Sequence, residues 1–481
     1  MNVGAPWLDF EEAEARVLAM QTKLHRWATA EPGRCFDDLF NLVYDSAFLV
    51  TAWRRVRGNK GGRTAGADGV VPRSIPSSEV FLGQIRAVLK SGQFTPSKVR
   101  EKLIPKGNGK VRRLGIPTAS DRVVQASLAL VLEPIFEADF EPCSYGFRPM
   151  RRAQDAIAEI HFLGSANRNY HWVFEADIEA CFDNIDHTAL LGRVRRRVGD
   201  KKVLSLVRSF LRAGVLCEDG KSRATITGTP QGGILSPLLA NIALSVLDEH
   251  FASKWQALGP VWRRAKARRA GVPAMKLIRY ADDFVVMVNG QRGDAEALWE
   301  EVAEVLSPMG LNLSVEKTRL CHIDEGFDFL GWHIRRRSWR GRTGKKVVYT
   351  YPSKKSLSSV MGKVRSLTRR AKHRTLAELL RSINRVLRGW CNYFRHGVSS
   401  KTFSYLDHFT WWRVFGWLRK RHAGLNQGRL VRNFLPDWKF CDGQVEMYRP
   451  QEVAIQRYRY RGIRIPTPWA GEPQADAVPS A

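Results

Sequence analysis

The sequence predicts an α/β protein organised on an antiparallel sheet, continued by a helical region and closed by a small basic segment. Three observations predict it. Around Ala281-Asp282, two apolar, β-branched runs flank a turn, the pattern of an antiparallel hairpin. At Val99 helical periodicity gives way to short strands and turns, and after about Arg335 it returns, rich in Arg and Trp. Hydrophobic residues make up 44 % of the 481, ample for a core, while Lys and Arg outnumber Asp and Glu by 77 to 47.

Phe10 to about Ala30 reads as a helix, because Ala13, Val17, Leu18, Met20 and Leu24 share roughly one face. A second helix is expected over Phe36 to Arg57. Gly61, Gly62, Gly66 and Gly69 mark a loop with Asp68, and a third helix covers Val80 to Lys90, with Ser77 and Ser78 as candidate caps. Glu101 to Pro105 and Val111 to Ile116 are strands, joined by a turn over Lys106-Gly107-Asn108-Gly109-Lys110. Arg122 to Phe136 is an apolar helix. Trp172 to Asp177 is a strand, and a helix holding Leu190 and Leu191 follows. Ile234 to His250 is a long apolar helix, and Leu277 to Val288 is the hairpin. Arg335 to Lys346, basic and Gly-containing, reads as a linker or exposed loop. Ser356 to His422 is helical in pattern. From Asn426 the texture is short and mixed, and Gly471 to Ala481 is a polar tail expected to be disordered. The chain divides accordingly into 1–95, 96–340, 341–425 and 426–481.

A formal net charge of +30 on a foldable chain points to a polyanionic partner, with a generic basic protein as the blander alternative. The seven cysteines show no CxxC pair, which speaks against a zinc ribbon or finger and fits a reducing compartment. Asp9, Glu11, Glu12 and Glu14 do not fit a secretory signal or a mitochondrial-type transit peptide. No apolar run approaches the roughly 20 residues of a membrane span. A cytoplasmic protein without a membrane partner is expected.

The chemistry is sought at the carboxylates. Tyr280-Ala281-Asp282-Asp283 lies between Met275-Lys276-Leu277-Ile278-Arg279 and Phe284-Val285-Val286-Met287-Val288. Asp is depleted in strands, and a hydrated turn explains one Asp there more easily than two. A second acidic centre is Asp177, at the end of the Trp172 strand. With Asp177 beside Asp282 and Asp283, such a site holds two divalent ions, the arrangement nucleotidyl transfer needs. Mg2+ suits it, as a hard ion content with carboxylate, phosphate and water oxygens, with Mn2+ as a substitute. Taken singly, each Asp is equally a cap of a turn or helix.

The surrounding motifs narrow the choice. Ala176-Asp177-Ile178-Glu179-Ala180-Cys181-Phe182-Asp183-Asn184 and Tyr280-Ala281-Asp282-Asp283 resemble two palm motifs of group II intron reverse transcriptases. Gly228-Thr229-Pro230-Gln231-Gly232-Gly233-Ile234-Leu235-Ser236-Pro237 resembles the long motif between them, and is the most specific of the series. Leu103-Ile104-Pro105-Lys106 with Arg112-Arg113-Leu114-Gly115-Ile116-Pro117, Tyr145-Gly146-Phe147-Arg148-Pro149, Gly310-Leu311-Asn312-Leu313 and Phe327-Asp328-Phe329-Leu330-Gly331-Trp332 follow in the family's order. The resemblance runs from about residue 10 to about 470.

It implies a right-hand polymerase: an N-terminal extension and start of fingers over 1–95, fingers and palm over 96–340, a helical thumb or maturase domain over 341–425, and a basic nucleic-acid-binding segment over 426–481. The implied activity is RNA-directed DNA synthesis together with a maturase role in intron splicing and mobility. Intron RNA, an RNA template with a DNA primer, target DNA and dNTP are the implied partners, and a bacterial host is expected. Asp177, Asp282 and Asp283 would hold the metals. Lys106, Arg112, Phe182 and Gln231 would contact the nucleotide, Phe182 by excluding a 2′-hydroxyl, and Tyr280 and Lys317 would support the centre. Gly232 and Gly233 would let backbone approach the nucleotide.

Within the helical region, the basic run that includes Lys363, Arg365, Arg369 and Arg370 contains no acid up to Arg374, which suits RNA. Trp390, Tyr393 and Phe394 are expected in the core, as are Trp411, Trp412, Phe415 and Trp417. Arg457-Tyr458-Arg459-Tyr460-Arg461-Gly462-Ile463-Arg464 would, as a strand, separate Arg from Tyr on two faces, either for nucleic acid or as an edge strand. Nothing after His422 carries the paired Cys and His ligands of the endonuclease found in many relatives, so none is expected. The rival reading is an RNA-binding splicing factor without polymerase activity.

Overall fold

The computed structural model describes residues 7–105, 109, 111–338, 346–370, 375–462 and 465–469. Lys106 and most of its turn, Lys372, Arg374, Arg464 and the polar tail lie outside the described residues, as does the side chain of Arg370.

The first helix, Phe10–Ala30, starts at Asp9, whose carboxylate accepts the Glu12 N–H at 2.9 Å. The expected second helix is broken. Phe36 bridges Val198, a short turn of helix covers Phe40–Val43, and a separate helix runs over Ser46–Gly58. Two carboxylates cause the break: Asp200 accepts the N–H groups of Leu39 and Phe40, and Asp45 caps the next helix at Ala47.

Strands β1 (Val99–Pro105) and β2 (Val111–Ile116) form the antiparallel pair read from the sequence. The central sheet contains β3 (Trp172–Asp177), and β1 itself is extended by β4 (Val215–Leu216) and β5 (Ser222–Arg223). Beside β3 lie β6 (Ala274–Tyr280), β7 (Asp283–Asn289) and β8 (Arg319–His322), in the order β6-β7-β3-β8, with every pair antiparallel. Between Asp283 and Asn289, β7 is apolar throughout. Phe284, Val285, Val286, Met287 and Val288 of β7 are buried on both faces, because helices cover the sheet. The apolar helix read over Ile234 to His250 is Ser236–Ala257, with Pro237 in its first turn.

A third sheet corrects the linker expected over Arg335 to Lys346. Strand β9 (Phe327–Phe329) pairs with β10 (Trp332–Ser338), and β10 pairs in turn with β11 (Lys346–Pro352). Arg335, Arg336 and Arg337 are thus strand residues, and Asp324 takes the charges of Arg336 and Lys346 at 2.6 Å each. The boundary expected at 340 lies outside the described residues.

The helical region comprises Lys354–Arg370, Leu376–Phe394 and Ser400–Arg421. The second of these begins in a reciprocal capping box between Thr375 and Glu378. Leu379, Leu380, Ile383 and Leu387 pack against Val364, Leu406, Val414 and Leu418 in one core. Phe394, Phe415 and Trp417 are buried as expected, and Trp390 and Tyr393 are half-buried. Trp412 departs from the expectation, with 53 % of its surface exposed.

The Arg457 to Arg464 stretch is not a strand where it is described. It straps the Ala153–Leu163 helix: Tyr458 and Arg461 donate to Asp155, and Tyr460 stacks on Phe162 at 4.5 Å and donates to Glu159. Arg and Tyr therefore serve the same acidic helix face instead of separating. Further on, Trp469 donates to Gln21 of the first helix at 3.2 Å. Among the described residues, no helix is long and apolar enough to cross a membrane.

Candidate active site

The two acidic motifs meet because β3 and β7 are neighbours in register. Asp177 stands opposite Asp283, and Asp283 also pairs with Tyr280 across the β6–β7 turn. That turn has only Ala281 and Asp282 between its strands, and Ala281 adopts φ 60°, in the left-handed region that favours glycine. Three carboxylates therefore gather at one end of the sheet.

A buried ion pair holds the turn in this shape. The guanidinium of Arg279, fully enclosed, donates to both oxygens of Asp248 at 2.7 and 2.5 Å. It also donates to Asn241, to Ser144 and to the carbonyl of Ala281, the last at 3.0 Å. Every direction of the guanidinium fork is thus used, which is the condition for enclosing such a charge. The Tyr145-Gly146 segment lies along β6, with the Tyr145 N–H on the Arg279 carbonyl. A Cβ at Gly146 would stand 2.3 Å from the Ala281 nitrogen, so only glycine fits beside the turn.

The charges at the site are only partly balanced. Burial, then repulsion by Asp282 and Asp177, pushes the Asp283 carboxyl up to about 6. Asp282 is raised too, by burial and by Asp177, against the opposing pull of Arg112 and Lys317. Lys317 reaches Asp177 at 2.5 Å, and its loop is anchored by the Ser314 N–H on the Asp177 carbonyl. Lys355 of the Lys354–Arg370 helix also acts on Asp283, a cation that sequence reasoning passed over. The donor set, all carboxylate oxygens with excess negative charge, fits a hard divalent cation. Among the described residues no three His, Cys, Asp or Glu side chains enclose a metal as they stand.

The nucleotide candidates converge in part. Arg112 Nε donates to Gln231 Oε1 at 3.0 Å, joining β2 to the Gly-rich segment. The Gly115 N–H donates to the Gln231 carbonyl at 2.7 Å, and a groove of about 340 Å³ opens beside Gln231 between β2 and Thr227, Gly228 and Thr229. Phe182 is half-buried, and its carbonyl accepts the Thr229 N–H. Two glycines of this segment also make close approaches within the chain. Gly232, at φ 111°, lies against the Gly115 backbone, and Gly228 against Asp183. They bring the segment close against the backbone of the β2 strand and of the helical turn at Asp183. Lys363, Arg365 and Arg369 are exposed on their helix. Arg279, Asp248 and Asn241 went unnoticed in the sequence; the one signal there was an Arg set two residues before the acidic turn, directly after the apolar pair Leu277-Ile278.

Comparison with known proteins agrees with this geometry. A family model described as "Reverse transcriptase (RNA-dependent DNA polymerase)" matches residues 104–334, and one described as "Group II intron, maturase-specific domain" matches residues 357–434. The chain is 36 % identical to "Protein YkfC" of Escherichia coli (strain K12) over 371 residues, 72 % of this chain and 97 % of that protein. It is 32 % identical to "Group II intron-encoded protein LtrA" of Lactococcus lactis subsp. cremoris, over 88 % of this chain and 80 % of that protein.

Proposed function

The chain belongs to the group II intron-encoded reverse transcriptase and maturase family, and on that footing we propose that its RNA-directed DNA synthesis is carried by Asp177, Asp282 and Asp283. The observation that carries this reading is the register that sets Asp177 opposite Asp283 beside the Ala281-Asp282 turn. Template-directed polymerisation joins a primer 3′-hydroxyl to the α-phosphorus of a dNTP and releases pyrophosphate. Two Mg2+ ions bound by the three carboxylates would supply activation of that hydroxyl and neutralisation of the triphosphate. Arg112, on Gln231, presents a fixed cation toward the triphosphate, and Lys106 is assigned the same task. Phe182 limits the space beside the sugar, and Gln231 and Tyr280 line the nucleotide's path. Lys317 keeps Asp177 oriented until the ions bind.

As maturase, the protein binds intron RNA and supports its splicing; the ribozyme performs the transesterification. The exposed Lys363, Arg365 and Arg369, with Arg370, are the proposed phosphate contacts. An RNA template with a DNA primer and target DNA are the proposed polymerase partners, and a bacterial cytoplasm is the proposed setting, as the Escherichia and Lactococcus relatives suggest. The test is primer extension on an RNA template with dNTP and Mg2+. Extension lost in Asp282→Ala supports the assignment. A folded wild type that binds RNA but extends nothing would favour the splicing-factor reading.

A further inference from the structure

The Ser400–Arg421 helix shows solvent a face that packing within the chain does not explain. Lys401, Tyr405, His408, Trp412, Gly416 and Arg419 follow one another at steps of three or four, so they share one side. None is an acid. Tyr405 is 54 % exposed and Trp412 53 %, and Lys401, His408 and Arg419 are exposed as well. Gly416 sits inside a helix, where glycine is less favourable than alanine, and a Cβ there would meet nothing within 4 Å.

Beside this face stands a third indole. Trp411 lies 5.0 Å from Trp412 and 6.2 Å from Trp438, and its Nε1 donates to the Trp438 carbonyl at 3.2 Å. Trp411 itself is anchored, stacked on Phe415 at 5.1 Å and near Phe440. Trp438 is 60 % exposed, although it and Asp437 both hold left-handed backbone, at φ 62° and 51°. Two consecutive non-glycine residues in that region are strained and persist only where surrounding structure imposes them. Here the result is an indole turned toward water.

We propose that Trp412 and Trp438, braced by Trp411 and flanked by Lys401, His408 and Arg419, form a platform on which unpaired RNA bases stack. Every base offers a π face, so such a platform reads single strands without sequence preference, and Lys401 and Arg419 hold the intervening phosphates. Gly416 leaves room for the strand to approach the helix. The proposal rests on the reading that the helical region binds RNA, and gives that region a contact distinct from the Lys363 to Arg370 face.

The test uses the full chain with a labelled single-stranded oligoadenylate, the same RNA in duplex form, and a version carrying 2-aminopurine. Trp412→Leu and Trp438→Leu keep an apolar side chain but no aromatic face; Trp412→Phe keeps a ring. Each Leu variant should weaken single-strand binding by about tenfold to a hundredfold and abolish 2-aminopurine quenching. The Phe variant should retain most of both, and duplex affinity and primer extension should stay at the wild-type level. Leu variants that bind and quench like wild type would overturn the platform alone and point to docking of another protein. A wild type that binds neither form of RNA would overturn the RNA reading of the whole helical region, and the platform with it.

Discussion

The carboxylate turn and the helical region handle charge in opposite ways. At the turn, Arg279 is sealed from solvent and meets Asp248, Asn241, Ser144 and the Ala281 carbonyl. In the Lys354–Arg370 helix, Lys363, Arg365 and Arg369 are exposed. One region uses charge to fix geometry, and the other leaves it open to solvent and to any polyanion that reaches it. Buried charge must be paired by stereochemistry, whereas exposed charge acts through a field that salt screens.

The largest expected effect removes the site itself. Asp282→Ala should lower primer extension by at least about a thousandfold while leaving RNA affinity unchanged in a filter-binding assay. Loss of both together would mean that the two regions are not separable.

Next is the buried pair. Asp248→Ala strands the Arg279 charge and should cost about 3–5 kcal/mol in urea unfolding. The double variant Arg279→Met with Asp248→Leu should recover most of that stability but not extension, because the Ala281 carbonyl loses its donor. Recovery of both would show that the pair serves stability alone.

The exposed cations should behave otherwise. Removing Lys363, Arg365 and Arg369 together should reduce the slope of log affinity against log salt by about one for each phosphate left without its cation. Urea stability should move by only about 0.5 kcal/mol per site. A large loss of stability would place these residues with the buried network instead.

The smallest effect tests the seam between the regions. Burial opposes ionisation of Asp324, yet hydrogen bonds and charge from Arg336 and Lys346 hold its carboxyl down at about 2. A depressed carboxyl stabilises the fold above its unfolded pKa near 4, and that contribution fades as pH falls from about 4 through 2. Asp324→Asn should cost about 1–2 kcal/mol at neutral pH, after allowance for solvent screening, and flatten acid unfolding over that window. An unchanged acid limb would remove Asp324 from the stabilisation of the β10–β11 hairpin.

Much of the site could be read without coordinates. The β6–β7 turn, the Asp177 strand and the β1–β2 pair each declare themselves within a few residues, through alternation, turn chemistry and two adjacent acids. The Arg279 network could not be read this way. Its side-chain partners lie between 31 and 135 residues away in the chain, and nothing local marks them. The linker expected at Arg335 failed for a related reason: a run of arginines looks solvent-borne until Asp324 and a neighbouring strand supply partners.

The sequence by itself determined the sheet-bearing and helical regions, the family, and the three carboxylates at strand ends and in the turn between strands, since these depend on local periodicity and on residue chemistry that the chain carries everywhere it goes. Tertiary structure alone decided the rest. It set Asp177 against Asp283, turned the Gly232 segment onto Gly115, bound the Tyr458 strap to Asp155, and left Trp412 in solvent while Trp417, five residues on, was buried. Helical spacing tells which residues share a face, but only the packing of other elements decides which face meets water.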